Sequence, residues 1–267
     1  MKTGVKRDKV VGLVLSGGGV KGMAHIGILK ALNEHGIFPE IISGVSAGAL
    51  VGALYSNGAS TIDMLAFFRK TPLFKYNFLT INKPGLFDTD KYIAFLEAHF
   101  PVDSFEALQK ELHIVATNLQ KGTSEYFCSG SLYKPLLASA ALPPVFSPVR
   151  INGYLYADGG IMNNFPVEPL EGRADVVIGS YTTAVKEMGA TGMNNSYDIT
   201  NRAKSLMLYA NSMGKFNTVD LLFKPKGLEY IGVLDKKGIE KAYMIGYEYA
   251  SKVLEEEAAP IVKSLAI

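Results

Sequence analysis

Residues 13–29 read LVLSGGGVKGMAHIGIL: a short apolar strand, a turn of three glycines and the start of a helix. The run VVGLVL over 10–15 is apolar without alternation, the pattern of a strand buried on both faces. Gly17, Gly18 and Gly19 let the backbone take φ > 0 and leave N–H groups uncovered by side chains. The helix behind them adds its own unpaired N–H groups and the positive end of its dipole. Such a loop is a cradle for negative charge. Its guest is either a stable phosphate or an oxyanion that exists only in a transition state.

Outward from that stretch, residues 20–35 read as a helix closed by Gly36, and 41–43 as a second short strand. The strand runs into Gly44-Val45-Ser46-Ala47-Gly48, and 47–55 reads as a second helix. Strand, helix, strand, helix predicts a parallel sheet with right-handed crossovers. A helix over 60–70 comes next, then an aromatic-rich stretch at 71–87 with little periodicity. That stretch either plugs the core or walls an apolar pocket as a lid. Further helices are expected at 88–100 and 134–141, the latter stopped by Pro143 and Pro144. Asp103 and Glu106 have capping-box spacing. Residues 112–117 form a third buried strand and 123–128 an edge partner. Asn152-Gly153 marks a hairpin between 149–151 and 154–157. A strand at 175–179, a Gly/Asn/Thr-rich surface loop at 185–195, a helix at 199–213 and a strand at 219–223 follow. The long terminal helix, 235–257, carries Ala242, Ile245, Tyr249 and Val253 on one face. With no internal repeat, linker or composition break, 1–267 reads as a single domain.

The chain has 267 residues, 48% of them hydrophobic, enough for a sizeable core. A net charge of +2 gives no reason to expect a nucleic-acid partner. The single cysteine, Cys128, rules out an internal disulfide and a multi-cysteine zinc cluster, and is compatible with a reducing, cytoplasmic setting. Lys2, Lys6, Arg7 and Lys9 precede the first apolar run, but it stops at glycines without a small-residue cleavage site. It therefore reads as a strand, not a signal peptide. No apolar run approaches the ~18 residues of a membrane helix. A soluble protein is expected, with peripheral membrane contact left open and the oligomeric state unset.

The pentapeptide Gly44–Gly48 fits G-x-S-x-G and sits between a strand and a helix, the context of a nucleophile elbow. Its sharp turn exposes the Ser46 hydroxyl, the flanking Gly44 and Gly48 relieve the clash, and the helix N-terminus favours developing negative charge. The plainer alternative is a serine N-cap. A nucleophilic serine needs a base. His25 lies inside the first helix, packed or half-exposed, His35 in that helix's last turn, His99 at a helix end near the surface and His113 in an apolar strand. None follows a late strand, which argues against a Ser-His-Asp triad. Asp158, set in a turn by Gly159 and Gly160 and 112 residues beyond the serine, is the better partner, although Asp-Gly-Gly is also an ordinary turn. If Ser46 and the cradle face each other at the ends of adjacent strands, N–H groups around Gly18, Gly19 and Val20 can bind an oxyanion formed at Ser46.

Taken together, these blocks resemble the bacterial type of the patatin-like phospholipase family. Gly17-Gly18-Gly19-Val20-Lys21-Gly22 is similar to the family's oxyanion motif, with Lys21 where a basic residue is usual. Gly44–Gly48 resembles its nucleophile elbow, and Ala138-Ser139 through Pro148 the block between serine and aspartate. Asp158-Gly159-Gly160 resembles the aspartate motif. The resemblance implies a three-layer α/β/α fold with a mostly parallel central sheet, and a Ser46–Asp158 dyad. It implies an oxyanion hole from the glycine loop (Gly17, Gly18, Gly19, Val20) and the Ala47 N–H, hydrolysis of lipid acyl esters, and no metal or organic cofactor. His25 stands where relatives often carry histidine, which implies a structural role.

Other readings stay open. The acyl group could pass to an alcohol instead of water, or the fold could be a silent lipid-binding module. Gly17-x-Gly19-x-x-Gly22 is also a literal dinucleotide fingerprint. That fingerprint wants an acid at the end of strand two, and Glu40 precedes the strand. The sequence leaves open whether Lys21 supplies charge or anchors the loop.

Overall fold

The computed structural model describes residues 9–72, 78–80, 82–183, 185–187, 189 and 194–256, the side chain of Tyr197 excepted. In chain order the elements are β1 (Val11–Leu15), α1 (Met23–Glu34), β2 (Ile41–Val45), α2 (Ala47–Ser56), α3 (Thr61–Lys70), α4 (Ile93–Glu97), β3 (Glu111–Asn118) and β4 (Thr123–Phe127). There follow α5 (Tyr133–Ser139), β5 (Val149–Ile151), β6 (Tyr154–Asp158), β7 (Val176–Ser180), α6 (Ser196–Met213), β8 (Leu221–Phe223) and α7 (Ile239–Glu256).

Among the described residues the strands form one sheet in the order β5-β6-β3-β2-β1-β7-β8, with β4 paired to β3. From β3 to β8 every pairing is parallel; β4, β5 and β6 pair antiparallel. β1 and β2 are buried along their whole length, as their unbroken apolar character requires. One large core joins the sheet to α1, α2, α3, α5 and α7. A smaller one, around Val14, Phe165, Leu170 and Tyr181 with Tyr209 of α6 against it, covers the other face. The result is the expected α/β/α arrangement around a mostly parallel sheet.

α7 closes the larger layer by crossing α1 at close range. A Cβ on Gly246 would overlap the carbonyl of Ala24, and one on Gly27 the backbone of Tyr243 and Tyr247. Its buried seam is therefore Ala242, Gly246, Ala250 and Val253, while Ile245 and Tyr249 are only half-buried. The face expected from periodicity holds at Ala242 and Val253, with Ile245 and Tyr249 packed at its edge, and the closest approach to α1 falls at the small residue Gly246.

Other local expectations change. Residues 88–100 are not one helix. Asp88 caps a 3-10 turn at Thr89–Tyr92, and α4 ends where the His99 and Phe100 N–H groups both bond the Leu96 carbonyl. Asp103 does not begin a capping box. Ser104 caps the turn at Phe105–Ala107, while an Asp103 carboxylate oxygen receives the N–H groups of Leu132 and Tyr133, each at 2.7 Å, at the start of α5. Of the aromatic stretch, 73–77 and 81 lie outside the described residues. Its end, Leu86 and Phe87, lies along residues 144–147, with Phe87 N–H donated to the Val145 carbonyl and Ser147 N–H to the Phe87 carbonyl. Much of the predicted surface loop at 185–195 also lies outside the described residues.

Candidate active site

Ser46 occupies the turn between β2 and α2 with φ 55° and ψ −123°, a conformation that costs a non-glycine residue on the order of 1–3 kcal/mol. Its surroundings hold it there. A Cβ on Gly48 would overlap the carbonyl oxygens of Leu15 and Ser16, so only glycine lets α2 back onto the end of β1. The Ser46 N–H donates to Ser139 Oγ at 2.8 Å, and its carbonyl accepts the N–H groups of Ala49 and Leu50. The side chain makes no capping bond to α2. Its hydroxyl instead donates to Asp158 Oδ2 at 2.7 Å.

Asp158 is the last residue of β6 and is buried. Oδ1 accepts the Gly160 N–H at 2.8 Å, the Asp158 N–H donates to the Ala141 carbonyl, and Thr117 Oγ1 donates to the Asp158 carbonyl. Burial pushes the carboxyl from 3.8 up to about 6, against the opposing hydrogen bonds from Ser46 and Gly160. At neutral pH it is an ionised base close to its own midpoint.

The two side chains do not meet at neighbouring C-terminal strand ends, as a purely parallel sheet would arrange. β6 runs antiparallel to β3 and arrives from the other direction. Val45 stands opposite Val115 and Asp158 opposite Ala116. A Cβ on Gly159 would lie 2.8 Å from Val45 Cγ2, so the end of β6 abuts the end of β2.

The glycine loop faces this pair: a Cβ on Gly17 would lie 3.2 Å from Ser46 Cβ, and one on Gly22 2.6 Å from Ala47 Cβ. The expected oxyanion donors divide into two groups. Val20 N–H is donated to the Val233 carbonyl at 2.8 Å and Gly17 N–H to Asn164 Oδ1 at 3.2 Å. Both are engaged within the fold, which corrects the expectation that they are available to an oxyanion. The N–H groups of Gly18, Gly19 and Ala47 have no partner among the described residues. Lys21 is half-buried, and burial lowers its pKa against the pull of Glu229.

The histidines stand apart from the serine. His25 is fully buried, with Nε2 at 2.8 Å from the Ser16 carbonyl and Nδ1 at 2.7 Å from Ser180 Oγ. A carbonyl only accepts, so Nε2 carries the proton and Nδ1 receives the Ser180 hydroxyl. Burial lowers its pKa to about 4, keeping the ring neutral. His25 thus ties the end of β1 to the end of β7. His113 lies against Glu111 and Arg173, and His35 and His99 bond carbonyls of their own helices. Among the described residues no group of three or more His, Cys, Asp or Glu is placed to hold a metal ion.

Sequence reasoning did not single out Asn164 or the role of Ser139. Asn164 is buried beneath the loop, with Oδ1 on Gly17, Nδ2 on Thr183 Oγ1 and its N–H on Asn211 Oδ1 of α6. Ser139 lay inside the Ala138-Ser139 block but had no assigned task. An asparagine pair just before the apolar Phe165 was the available signal for buried polar work.

A cavity of about 110 Å³ is lined by Leu50, Phe67, Tyr92, Phe95, Leu137 and Phe146 among others. Leu50 is one turn beyond Ser46 on α2, and Ala140, also in the lining, follows Ser139. The wall is almost wholly apolar, suited to a hydrocarbon chain.

The sequence profile of the patatin-like phospholipase family matches residues 13–171, which contain the loop, the elbow, the Ala-Ser block and the aspartate turn. The chain belongs to that family. It is 26% identical over 281 residues to lysophospholipase nte1 of Aspergillus fumigatus, covering 93% of this chain and 18% of that protein. With lysophospholipase NTE1 of Phaeosphaeria nodorum the identity is 27% over 281 residues, with the same coverage. The chain therefore spans less than a fifth of the length of these relatives. Among solved structures, VipD from Legionella pneumophila superposes with a TM-score of 0.57 at 16% identity, covering 93% of this chain and 67% of that one. That likeness concerns the fold.

Proposed function

We propose that this chain is a serine acyl-ester hydrolase of the phospholipase A or lysophospholipase type, releasing fatty acid from lipid esters. The observation that carries the proposal is the 2.7 Å bond from Ser46 Oγ to a buried Asp158 with a raised pKa. In this reading Asp158 takes the hydroxyl proton as Ser46 Oγ attacks the acyl carbonyl. The negative charge that develops on the carbonyl oxygen meets the N–H groups of Gly18, Gly19 and Ala47, each such donor worth roughly 3 kcal/mol in the transition state. Collapse of the tetrahedral intermediate expels the alcohol, which takes the proton back from Asp158, and leaves an acyl-Ser46 ester. Water, deprotonated by Asp158, attacks that ester; fatty acid leaves and Ser46 regains its proton. The acyl chain lies in the apolar cavity beside Leu50.

The dinucleotide alternative has little to support it. Val233 closes over the third glycine of the loop, where a Cβ on Gly19 would overlap its carbonyl, and β2 ends in Val45 and runs into Ser46, with no acid at its end. Hydrolysis of p-nitrophenyl esters and lysophosphatidylcholine, with Ser46→Ala and Asp158→Ala as controls, tests the proposal. Retention of hydrolysis by Ser46→Ala would overturn it. Labelling of Ser46 by a fluorophosphonate separates an enzyme from a silent binding module.

A further inference from the structure

α6 faces the wrong way for a helix of a globular protein. Its apolar residues Ile199, Ala203, Leu206, Met207, Ala210 and Met213 recur at helical spacing and form one stripe. Such a stripe normally packs on the core. Here it points to solvent: Ile199 is 55% exposed, Leu206 45%, Met207 70% and Met213 53%. The helix is attached by its other side. Asn211 Nδ2 donates to the Gly160 carbonyl, Asn211 Oδ1 accepts the Asn164 N–H, and Leu208 lies beside Gly160. α6 is thus fastened directly to the turn that carries Asp158.

The exposed apolar surface continues around the site. Ile161 and Met162, just after that turn, are 44% and 45% exposed. Across the glycine loop stand Val233, whose carbonyl holds the Val20 N–H, and Tyr230, 71% exposed. Three separate parts of the chain therefore present large apolar side chains around Ser46. The flank is basic. Arg202 and Lys204 lie on α6, and Arg202 bonds the carbonyl of Lys186, whose ammonium reaches Tyr230 Oη. The one acid of α6, Asp198, is turned into the N-cap, where its carboxylate accepts from Asn195.

We propose that α6, with Ile161, Met162, Tyr230 and Val233, is the surface that seats this protein on a lipid bilayer carrying anionic head groups. An exposed apolar stripe with Lys and Arg along its edge is the design of an interfacial helix. The inference rests on the acyl-ester hydrolase reading for the reason a bilayer is visited; seated this way, Ser46 meets ester groups at the membrane surface.

The test uses the full chain and the variant Leu206→Ser/Met207→Ser, both side chains being exposed and outside the dyad. Binding is measured by flotation with phosphatidylcholine vesicles, with and without roughly one third phosphatidylglycerol, in a Ser46→Ala background so that hydrolysis does not alter the vesicles. The parent floats with vesicles, more strongly when they are anionic, and the double variant loses at least about tenfold in partition. On the Ser46 background the same double variant hydrolyses p-nitrophenyl butyrate at the parent rate. Equal partition of parent and double variant overturns the proposal. So does a parent that ignores vesicles and is a dimer dissociated by the same substitutions. Hydrolysis of the soluble ester that survives Ser46→Ala would sink the functional reading instead, leaving the vesicle result intact.

Discussion

Asp158 receives the Ser46 hydroxyl from the end of a strand that runs opposite to the one delivering Ser46. β2 and β6 approach along β3 from opposite directions, and their registers, Val45 on Val115 and Asp158 on Ala116, differ by one residue of β3. The Ser46–Asp158 pair is thus placed by sheet register, which is as rigid as the core beneath it. A burial-raised carboxyl in that position makes activity depend on pH in a specific way. The rate constant kcat/KM for a p-nitrophenyl ester should rise with pH through about 6, as Asp158 ionises, and then level off. Asp158→Asn should lower the plateau by about a hundred- to ten-thousandfold. A profile centred near 4 would contradict the raised pKa.

The same shift carries a stability consequence with a defined sign. The folded carboxyl holds its proton up to about 6, whereas the unfolded one releases it near 3.8. Its contribution is fully present below 3.8 and is lost as pH rises through about 6. At pH 8 the protein therefore carries a buried carboxylate at a cost of up to about 3 kcal/mol. Asp158→Asn should raise Tm at pH 8 and leave it little changed at pH 4, as read by thermal unfolding at both values.

His25 should behave as a structural residue and not as a catalytic base. His25→Gln leaves the Ser16 carbonyl and Ser180 hydroxyl imperfectly paired, at a cost of about 1–3 kcal/mol. Its own pKa is lowered to about 4, so the wild-type contribution is complete above about 6.5 and fades as pH falls through about 4. Folded His25→Gln protein should keep the midpoint of the kcat/KM profile where it is in the parent. A change in that midpoint would give His25 a part in the proton transfer.

Ser139 holds the backbone of Ser46, the proposed nucleophile. Ser139→Ala removes the acceptor of the Ser46 N–H and leaves that donor without its bond, a loss of about 1–3 kcal/mol. Because the strained Ser46 turn depends on that bond, kcat should fall about tenfold or more while KM stays within a few-fold. Ser139→Thr, which restores a hydroxyl, should recover part of kcat. Equal loss in both variants would point to packing alone.

Most of the architecture was legible because it rests on local signals. The apolar run at β1, the glycine loop and the elbow of Ser46 each announce themselves within a few residues. Asp158 was legible by elimination, since no histidine followed a late strand. Its approach was not: the hairpin of β5 and β6 was read from Asn152-Gly153, but nothing local says that β6 pairs with β3 and ends against Val45. Asn164 escaped for the same reason, because its partners Gly17 and Thr183 are far away in sequence. Asp103 misled by its spacing to Glu106, when its partners lie at the start of α5. Half of the α7 seam was legible, in Ala242 and Val253; Gly246 and Ala250 escaped, because periodicity weighs large apolar side chains and the close approach to α1 needs small ones.

That seam supports a last prediction. At Gly246 a Cβ would lie 2.2 Å from the Ala24 carbonyl oxygen, well inside van der Waals contact, and that oxygen is backbone and has no rotamer to move aside. Gly246→Val must therefore push α7 away from α1 and open the layer that backs the glycine loop. The expected loss is about 3 kcal/mol or more, larger than the roughly 1 kcal/mol that β-carbon placement in an exposed helix would return through propensity. Ile245→Ala, which trims a half-buried neighbour, should cost less, because α1 and α7 still meet along Ala242, Gly246 and Ala250. Chemical denaturation of the two variants decides it. If Ile245→Ala proved the more damaging, the helix pair would be held by its large side chains and not by close backbone approach.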